Sequence, residues 1–130
     1  MNASIIVNTY NRANYLQRLL NSFEHLRKVD FEVIVVNGPS TDGTASILKA
    51  FQGRIKIVNC PSKNLSVSRN LGIAAAAGDL VVFIDDDAIP SDTDWLWRYV
   101  EAFSQDEGRH FGGMGGVVLD GDSEGKHFIG

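Results

Sequence analysis

The sequence predicts an α/β domain with a mostly parallel sheet and helices on both faces. Short runs rich in Val, Ile and Phe alternate along the chain with longer amphipathic segments. Several of those runs are apolar at successive positions, as strands buried on both faces are. The order βαβαβαβαβ then favours parallel pairing with helical crossovers.

Ser4–Val7 reads as a first buried strand and Phe31–Val36 as a second. Arg54–Val58 alternates polar and apolar residues, which predicts an edge or half-covered strand. Leu80–Ile84 is a fully apolar fourth run, and Phe111–Leu119 a fifth that carries four glycines. Between them, Tyr15, Leu16, Leu19, Leu20, Phe23 and Leu26 recur at helical spacing. Thr44–Phe51 predicts a shorter helix, and Leu65–Ala77 one that stops at Gly78, packing through Val67, Leu71 and Ile73. Trp95, Leu96, Tyr99, Val100 and Phe103 form the last stripe, with Trp97 off it, and Ser91 with Asp94 reads as a capping box. The end breaks the pattern. Asp120–Gly125 is turn-rich, with Asp120, Asp122 and Glu124 as its acidic residues, and Lys126–Ile129 begins another extended run. We divide the chain into a domain at residues 1–119 and the start of a hairpin at residues 120–130, with more sequence expected beyond Gly130.

At 130 residues the chain fits one domain with a single core. Its 44% apolar and 22% charged content is that of a soluble globular protein. A net charge of −4 without any basic run argues against a nucleic-acid partner. The single cysteine, Cys60, has no internal disulfide partner and reads as a small packing residue. His25, His110 and His127 are too scattered to suggest a metal site. No apolar run approaches the roughly 20 residues that span a bilayer, and Met1–Ser4 lacks a signal peptide's basic region. A cytoplasmic location is expected, with peripheral contact at the inner membrane face left open through sequence outside residues 1–130.

In open α/β sheets, ligands bind beyond the carboxyl ends of the strands. Asn8–Arg12 follows the first strand, Asn37–Gly43 the second and Asp85–Asp87 the fourth. The triplet carries the most weight. Three consecutive carboxylates at the tip of an apolar strand repel one another unless a cation sits there, and strand alternation would send Asp85 and Asp87 the same way. A hard ion such as Mg²⁺ or Mn²⁺ that also meets substrate phosphate fits such a pair. The plain alternative is a solvated acidic turn before Pro90, with an aspartate capping the next helix. The two polar loops beside it favour the metal.

Other residues read two ways. Thr9, Tyr10 and Arg12 stand at the start of a helix, where exposed amides favour anions, and so do Lys63 and Asn64. Tyr10 could flank a flat base or simply pack on its helix. Arg69 has a fork suited to a diphosphate, yet from helix position alone it is an ordinary surface arginine.

Taken together, Ser4–Arg12, Val33–Thr44, Ser68–Ile73, Ala77–Asp79 and Phe83–Pro90 resemble the amino-terminal half of family 2 glycosyltransferases with the GT-A fold, over about residues 4–104. Each block alone is modest, and their order and spacing make the match specific. The resemblance implies a Rossmann-like nucleotide-sugar-binding domain and an inverting, metal-dependent transfer from a nucleoside-diphosphate sugar. A UDP-sugar is the leading expectation for the donor, and a saccharide, lipid or protein hydroxyl for the acceptor. It also implies that Thr9, Tyr10, Arg12, Asn37, Arg69, Asp85 and Asp86 bind the nucleotide sugar. Asp85 and Asp87 become the outer members of a DXD motif, with Asp87 on the metal and Asp85 facing the ribose or sugar. The metal would neutralise the departing diphosphate. Asn37 stands in the place of a family aspartate that contacts the base, and an amide both donates and accepts, which leaves base preference open. Ala88 replaces a frequent acidic residue. The catalytic base is expected beyond Gly130.

Two other classes compete. A receiver-like regulatory module wants an acidic pair after the first strand and a lysine after the last, and the chain has Asn8 and Thr9 at the former position. A sugar nucleotidyltransferase wants a glycine-rich basic loop after the first strand, and Asn8–Asn14 is not one.

Overall fold

A computed structural model describes residues 1–106, 110, 112–116, 118–119 and 128–129. Its main sheet has four parallel strands: β1 Ala3–Thr9, β2 Phe31–Asn37, β3 Lys56–Asn59 and β4 Leu80–Phe83, in the order β3-β2-β1-β4. The helices are α1 Ala13–Ser22, α2 Thr44–Ala50, α3 Leu65–Ala75 and α4 Trp95–Gln105, with one 3₁₀ turn at Phe23–His25.

Alternation along β1 assigns the two faces. Ala3, Ile5 and Val7 join Val33, Val35, Leu16, Leu19, Leu20, Leu48, Leu96 and Val100 in one core under α1, α2 and α4. Ile6 joins Ile34, Val36 and Cys60 in a second core under α3. Helices thus cover both faces, as predicted. Cys60 is buried, with its thiol donating to the carbonyl of Ser62 at 3.2 Å.

Several expectations need correction. Tyr15 is 52% exposed. Leu16, Leu19, Leu20 and Phe23 already complete the inward face, and Tyr15 lies about 100° off it. On α3 the buried residues are Ser68 and Gly72, while Val67 and Ile73 are exposed. Here the helix sits so close to the sheet that a Cβ on Gly72 would lie 2.6 Å from the Ile6 side chain. Small residues make that contact; Leu71 packs against the second core as expected, while Val67 and Ile73 do not. Gly78 lies beyond the helix end at Ala75, and its lack of a side chain lets the chain pass close to β1, where a Cβ would lie 2.7 Å from the backbone of Ala3 and Ser4. Phe83 on β4 is 43% exposed and lines the cleft at the strand tips; among the described residues β4 pairs only with β1.

The capping box at α4 is not formed. Asp94 is the N-cap but makes no capping bond; its carboxylate takes Arg27 and Lys28, while Asp92 accepts from the Asp94 amide. Trp95 is partly buried and meets Tyr99 edge-on, and Trp97 lies under the Lys28 ammonium at 4.8 Å. The fifth run does not extend the parallel sheet. Residues 112–116 form no strand, and Val118–Leu119 (β5) pairs antiparallel with Phe128–Ile129 (β6) as a separate two-stranded sheet. Glycine weakens a strand, since it loses more conformational entropy and offers no side chain to pack. Phe111, Asp120, Asp122, Glu124 and His127 lie outside the described residues.

Opposite the strand tips, Glu32 ties the sheet to what precedes β4. Its carboxylate accepts from Ser4 Oγ and the Ala77 amide, both at 2.7 Å, and pairs with Lys56 Nζ at 2.7 Å. The Ser4 hydroxyl accepts in turn from the Gly78 amide. The Lys56 hydrogen bond, then those from Ala77 and Ser4, hold Glu32 down at about 2 from an ordinary 4.5. A carboxylate with a lowered folded-state pKa stabilises fully above its unfolded value and loses that contribution as pH falls toward the folded one. Glu32→Gln should therefore cost about 1–3 kcal/mol at neutral pH, measured by urea unfolding. The gap to wild type should close as pH drops from 4.5 toward 2; a gap independent of pH would contradict this.

Candidate functional site

At the carboxyl end of the sheet, the loops after β1, β3 and β4 and the first turns of α3 enclose a cleft of about 430 Å³. Its wall contains Thr9, Tyr10, Arg12, Gly38, Ser62, Lys63, Arg69, Asp85, Asp86 and Asp87.

The loop after β1 is set by Asn11, which adopts a left-handed backbone (φ 52). The short polar side chain of asparagine tolerates that region. Its Oδ1 accepts from the Thr41 and Asp42 amides at 2.7 and 3.3 Å, and its own amide donates to Ser40 Oγ. Asp42 in turn accepts from the Ala13 amide at the start of α1. The loops after β1 and β2 are therefore locked together, and Arg12 is directed back toward β4. Gly38 packs against the Tyr10 ring, where a Cβ would lie 3.3 Å away.

The aspartates lie in a turn closed by Ala88 N–H to the Asp85 carbonyl at 3.0 Å, which starts two residues past the end of β4. Turn geometry, not strand alternation, sorts them. Asp86 turns inward and is 7% exposed, while Asp85 and Asp87 face out along the cleft. Asp86 Oδ2 accepts from Thr9 Oγ1 at 2.9 Å, and its Oδ1 lies 3.4 Å from Arg12 Nη1. The same Nη1 is 3.0 Å from Asp87 Oδ2. The guanidinium of Arg12 thus lies against two of the three carboxylates, Asp86 and Asp87. Burial pushes Asp86 above the usual carboxylate range, against the pull of the Thr9 hydroxyl and the Arg12 charge.

The same wall carries two further cations, Lys63 and Arg69. Lys63 Nζ lies 4.8 Å above the Tyr10 ring, and the Arg69 guanidinium 6.0 Å from the Phe83 ring centroid. Asn64 caps α3 through Oδ1, accepting from the Ser66 and Val67 amides at 2.9 and 3.2 Å. Those amides are thus satisfied within the chain.

Of the residues singled out in the sequence, the structure brings Thr9, Tyr10, Arg12, Arg69, Asp85, Asp86 and Asp87 around this one cleft. Asn37 stands one residue outside the wall, at the end of β2, accepting from Ser40 Oγ at 2.7 Å. Sequence reasoning passed over Ser62 and Phe83, and over Ser68, whose hydroxyl donates to Asn8 beneath the cleft floor. The loop after β3 could have been found by the same strand-tip rule. Among the described residues no three His, Cys, Asp or Glu side chains converge on a metal position. With Asp86 engaged inward, the cleft offers a cation two carboxylates, Asp85 and Asp87. That suits Mg²⁺ or Mn²⁺, which take one or two carboxylates and complete their shell with phosphate and water.

The profile of Glycosyl transferase family 2 matches residues 4–127. Glycosyltransferase GlyA of Streptococcus pneumoniae serotype 4 is 35% identical over 102 residues, spanning 75% of this chain and 14% of GlyA. The crystal structure of S. aureus TarS 1-349 in complex with UDP superposes with a TM-score of 0.70 at 30% identity, over 81% of this chain and 32% of that one. The mannosyltransferase PcManGT from Pyrobaculum calidifontis, in complex with GDP-Man and Mn²⁺, gives a TM-score of 0.71 at 25% identity, over 80% of this chain and 32% of that one. The chain therefore spans no more than about a third of any of these three proteins.

Thr9 supplies the only neutral donor that reaches the buried Asp86 carboxylate among the hydrogen bonds of the described residues. Thr9→Val keeps the shape and removes the hydroxyl, so it should destabilise the fold by about 1–3 kcal/mol at neutral pH. The loss should shrink in acid, where Asp86 is protonated and needs no donor. Urea unfolding at two pH values checks both; equal stability at neutral pH would contradict the pairing.

Proposed function

This chain belongs to glycosyl transferase family 2, and we propose that it forms the donor-binding part of an inverting, metal-dependent glycosyltransferase. The donor is a nucleoside-diphosphate sugar, with a UDP-sugar as the first expectation, and the acceptor is a hydroxyl of a saccharide, lipid or protein. One observation carries this reading: a strand-tip cleft whose wall holds two outward carboxylates, Asp85 and Asp87, together with the cations Lys63 and Arg69. A diphosphate bridged by a divalent cation matches that distribution of charge. The UDP, UDP-GlcNAc and GDP-Man complexes of related structures support it.

The roles follow from position. Tyr10 offers a flat face to the base, beside the backbone of Gly38. Arg69 offers its fork to the diphosphate, and Lys63 adds a point charge. Asp87 and Asp85 would hold the cation, Mg²⁺ or Mn²⁺, with Asp85 also facing the ribose or sugar. Asp86, through Thr9, keeps the turn in place. A cation held there supplies neutralisation of the charge that builds on the leaving diphosphate. Inversion also needs a carboxylate to take the acceptor's proton, and we assign that group to sequence beyond residue 130. The domain boundary near residue 119 belongs to the same proposal. Among the described residues no helix is long and apolar enough to cross a membrane. A cytoplasmic location goes with this reading, at the inner membrane face where the acceptor is a lipid.

A sugar nucleotidyltransferase would share the paired carboxylates but release pyrophosphate instead of a nucleoside diphosphate. Calorimetric titration of UDP with and without Mn²⁺ tests the proposal. Binding should depend on Mn²⁺ and weaken by roughly tenfold or more, about 1.4 kcal/mol, in Asp87→Ala. UDP affinity indifferent to both metal and Asp87 would overturn the metal assignment.

A further inference from the structure

Asp87 Oδ2 is already engaged by a positive charge, Arg12 Nη1 at 3.0 Å. A divalent cation and a guanidinium cannot share that oxygen without strong repulsion, since both are held close in a partly desolvated cleft. The Asp87 and Arg12 side chains are 49% and 50% exposed. A contact of that exposure is weak and easily opened. Asp86 differs, with a side chain only 9% exposed and a second bond to Thr9. The backbone behind Arg12 is fixed by the Asn11 bonds to Thr41 and Asp42. The side chain can therefore swing without the loop moving.

We propose that Arg12 is a displaceable, built-in counter-ion of the aspartate triplet, leaving Asp87 when a divalent cation binds and becoming available to the donor's diphosphate. This rests on the metal reading of Asp87 above. Arg12 offsets the repulsion between Asp86 and Asp87, the two carboxylates that it contacts. It is also exchanged for the cation when substrate arrives. Metal binding alone is then weakened by Arg12, and metal with diphosphate is strengthened by it, because the released guanidinium meets phosphate oxygens. A residue that merely stiffened the loop would shift both affinities in the same direction.

The test is Mn²⁺ titration of the 130-residue chain without nucleotide, following free Mn²⁺ by electron paramagnetic resonance, in wild type, Arg12→Gln and Arg12→Lys. Arg12→Gln should bind Mn²⁺ about three- to tenfold more tightly, and Arg12→Lys should stay near wild type. UDP titrated at saturating Mn²⁺ should bind Arg12→Gln more weakly than wild type. An Arg12→Gln affinity for Mn²⁺ equal to or below that of wild type would overturn the inference while leaving the metal reading intact. Failure of wild type itself to bind Mn²⁺ would overturn both. Should Arg12→Gln prove unstable, wild type suffices: the Arg12 Nε–H resonance should shift as Mg²⁺ is added, and an unmoved resonance at saturation would sink the idea.

Discussion

The site depends on one buried carboxylate. Asp86 is drawn inward at the tip of an edge strand, where it accepts from Thr9 at the tip of β1 and faces Arg12 at the start of α1. Burying a charge is costly unless it is paired and hydrogen-bonded, and those two partners offset the cost. The consequence is geometric. With Asp86 pinned, the turn holds Asp85 and Asp87 outward beside the cleft, and the ends of two neighbouring strands are fastened at the level where a ligand would sit.

The two ends of the sheet are held by different means. At the amino end, Glu32 gathers Ser4, Lys56 and the Ala77 amide, and Gly78 lets the chain pass close over β1. That end is a clamp, and no residue of the cleft belongs to it. At the carboxyl end, loops carry the polar groups, as is common where a rigid scaffold presents chemistry on flexible connections. Asn11, Ser40 and Asp42 compensate by binding those loops to one another. Donor chemistry at such a site would be preorganised by hydrogen bonds among neighbouring loops, with the sheet fixing only where the loops begin.

Much of this was legible in the sequence. β1 and β2 read clearly because a strand covered on both faces must be apolar at successive positions. The position of the cleft followed from the strand-tip rule applied to Asn8–Arg12 and Asp85–Asp87. What failed had physical causes. The face of α3 was read only in part: Leu71 packs on the core, but Ser68 and Gly72 are the buried residues, and periodicity counts weigh only large side chains. The apolar run of β4 read as a buried strand, yet Phe83 is exposed and lines the cleft. The inward turn of Asp86 was hidden because β4 ends before the triplet, so alternation no longer applied. The Arg12 contacts join residues 74 and 75 positions apart, with no local signal to announce them.

The proposal that the strand-tip cleft takes a nucleoside diphosphate with a divalent cation is supported by family membership and by the residues of the cleft wall. Backbone amide chemical shifts, followed by NMR while UDP and Mg²⁺ are added together, test it most directly. The account predicts that perturbed amides cluster at residues 8–12, 38, 62–69 and 83–87, with the β3 edge at Lys56–Asn59 and the body of α4 unaffected. Perturbations centred away from the strand tips, or none at saturating ligand, would contradict it.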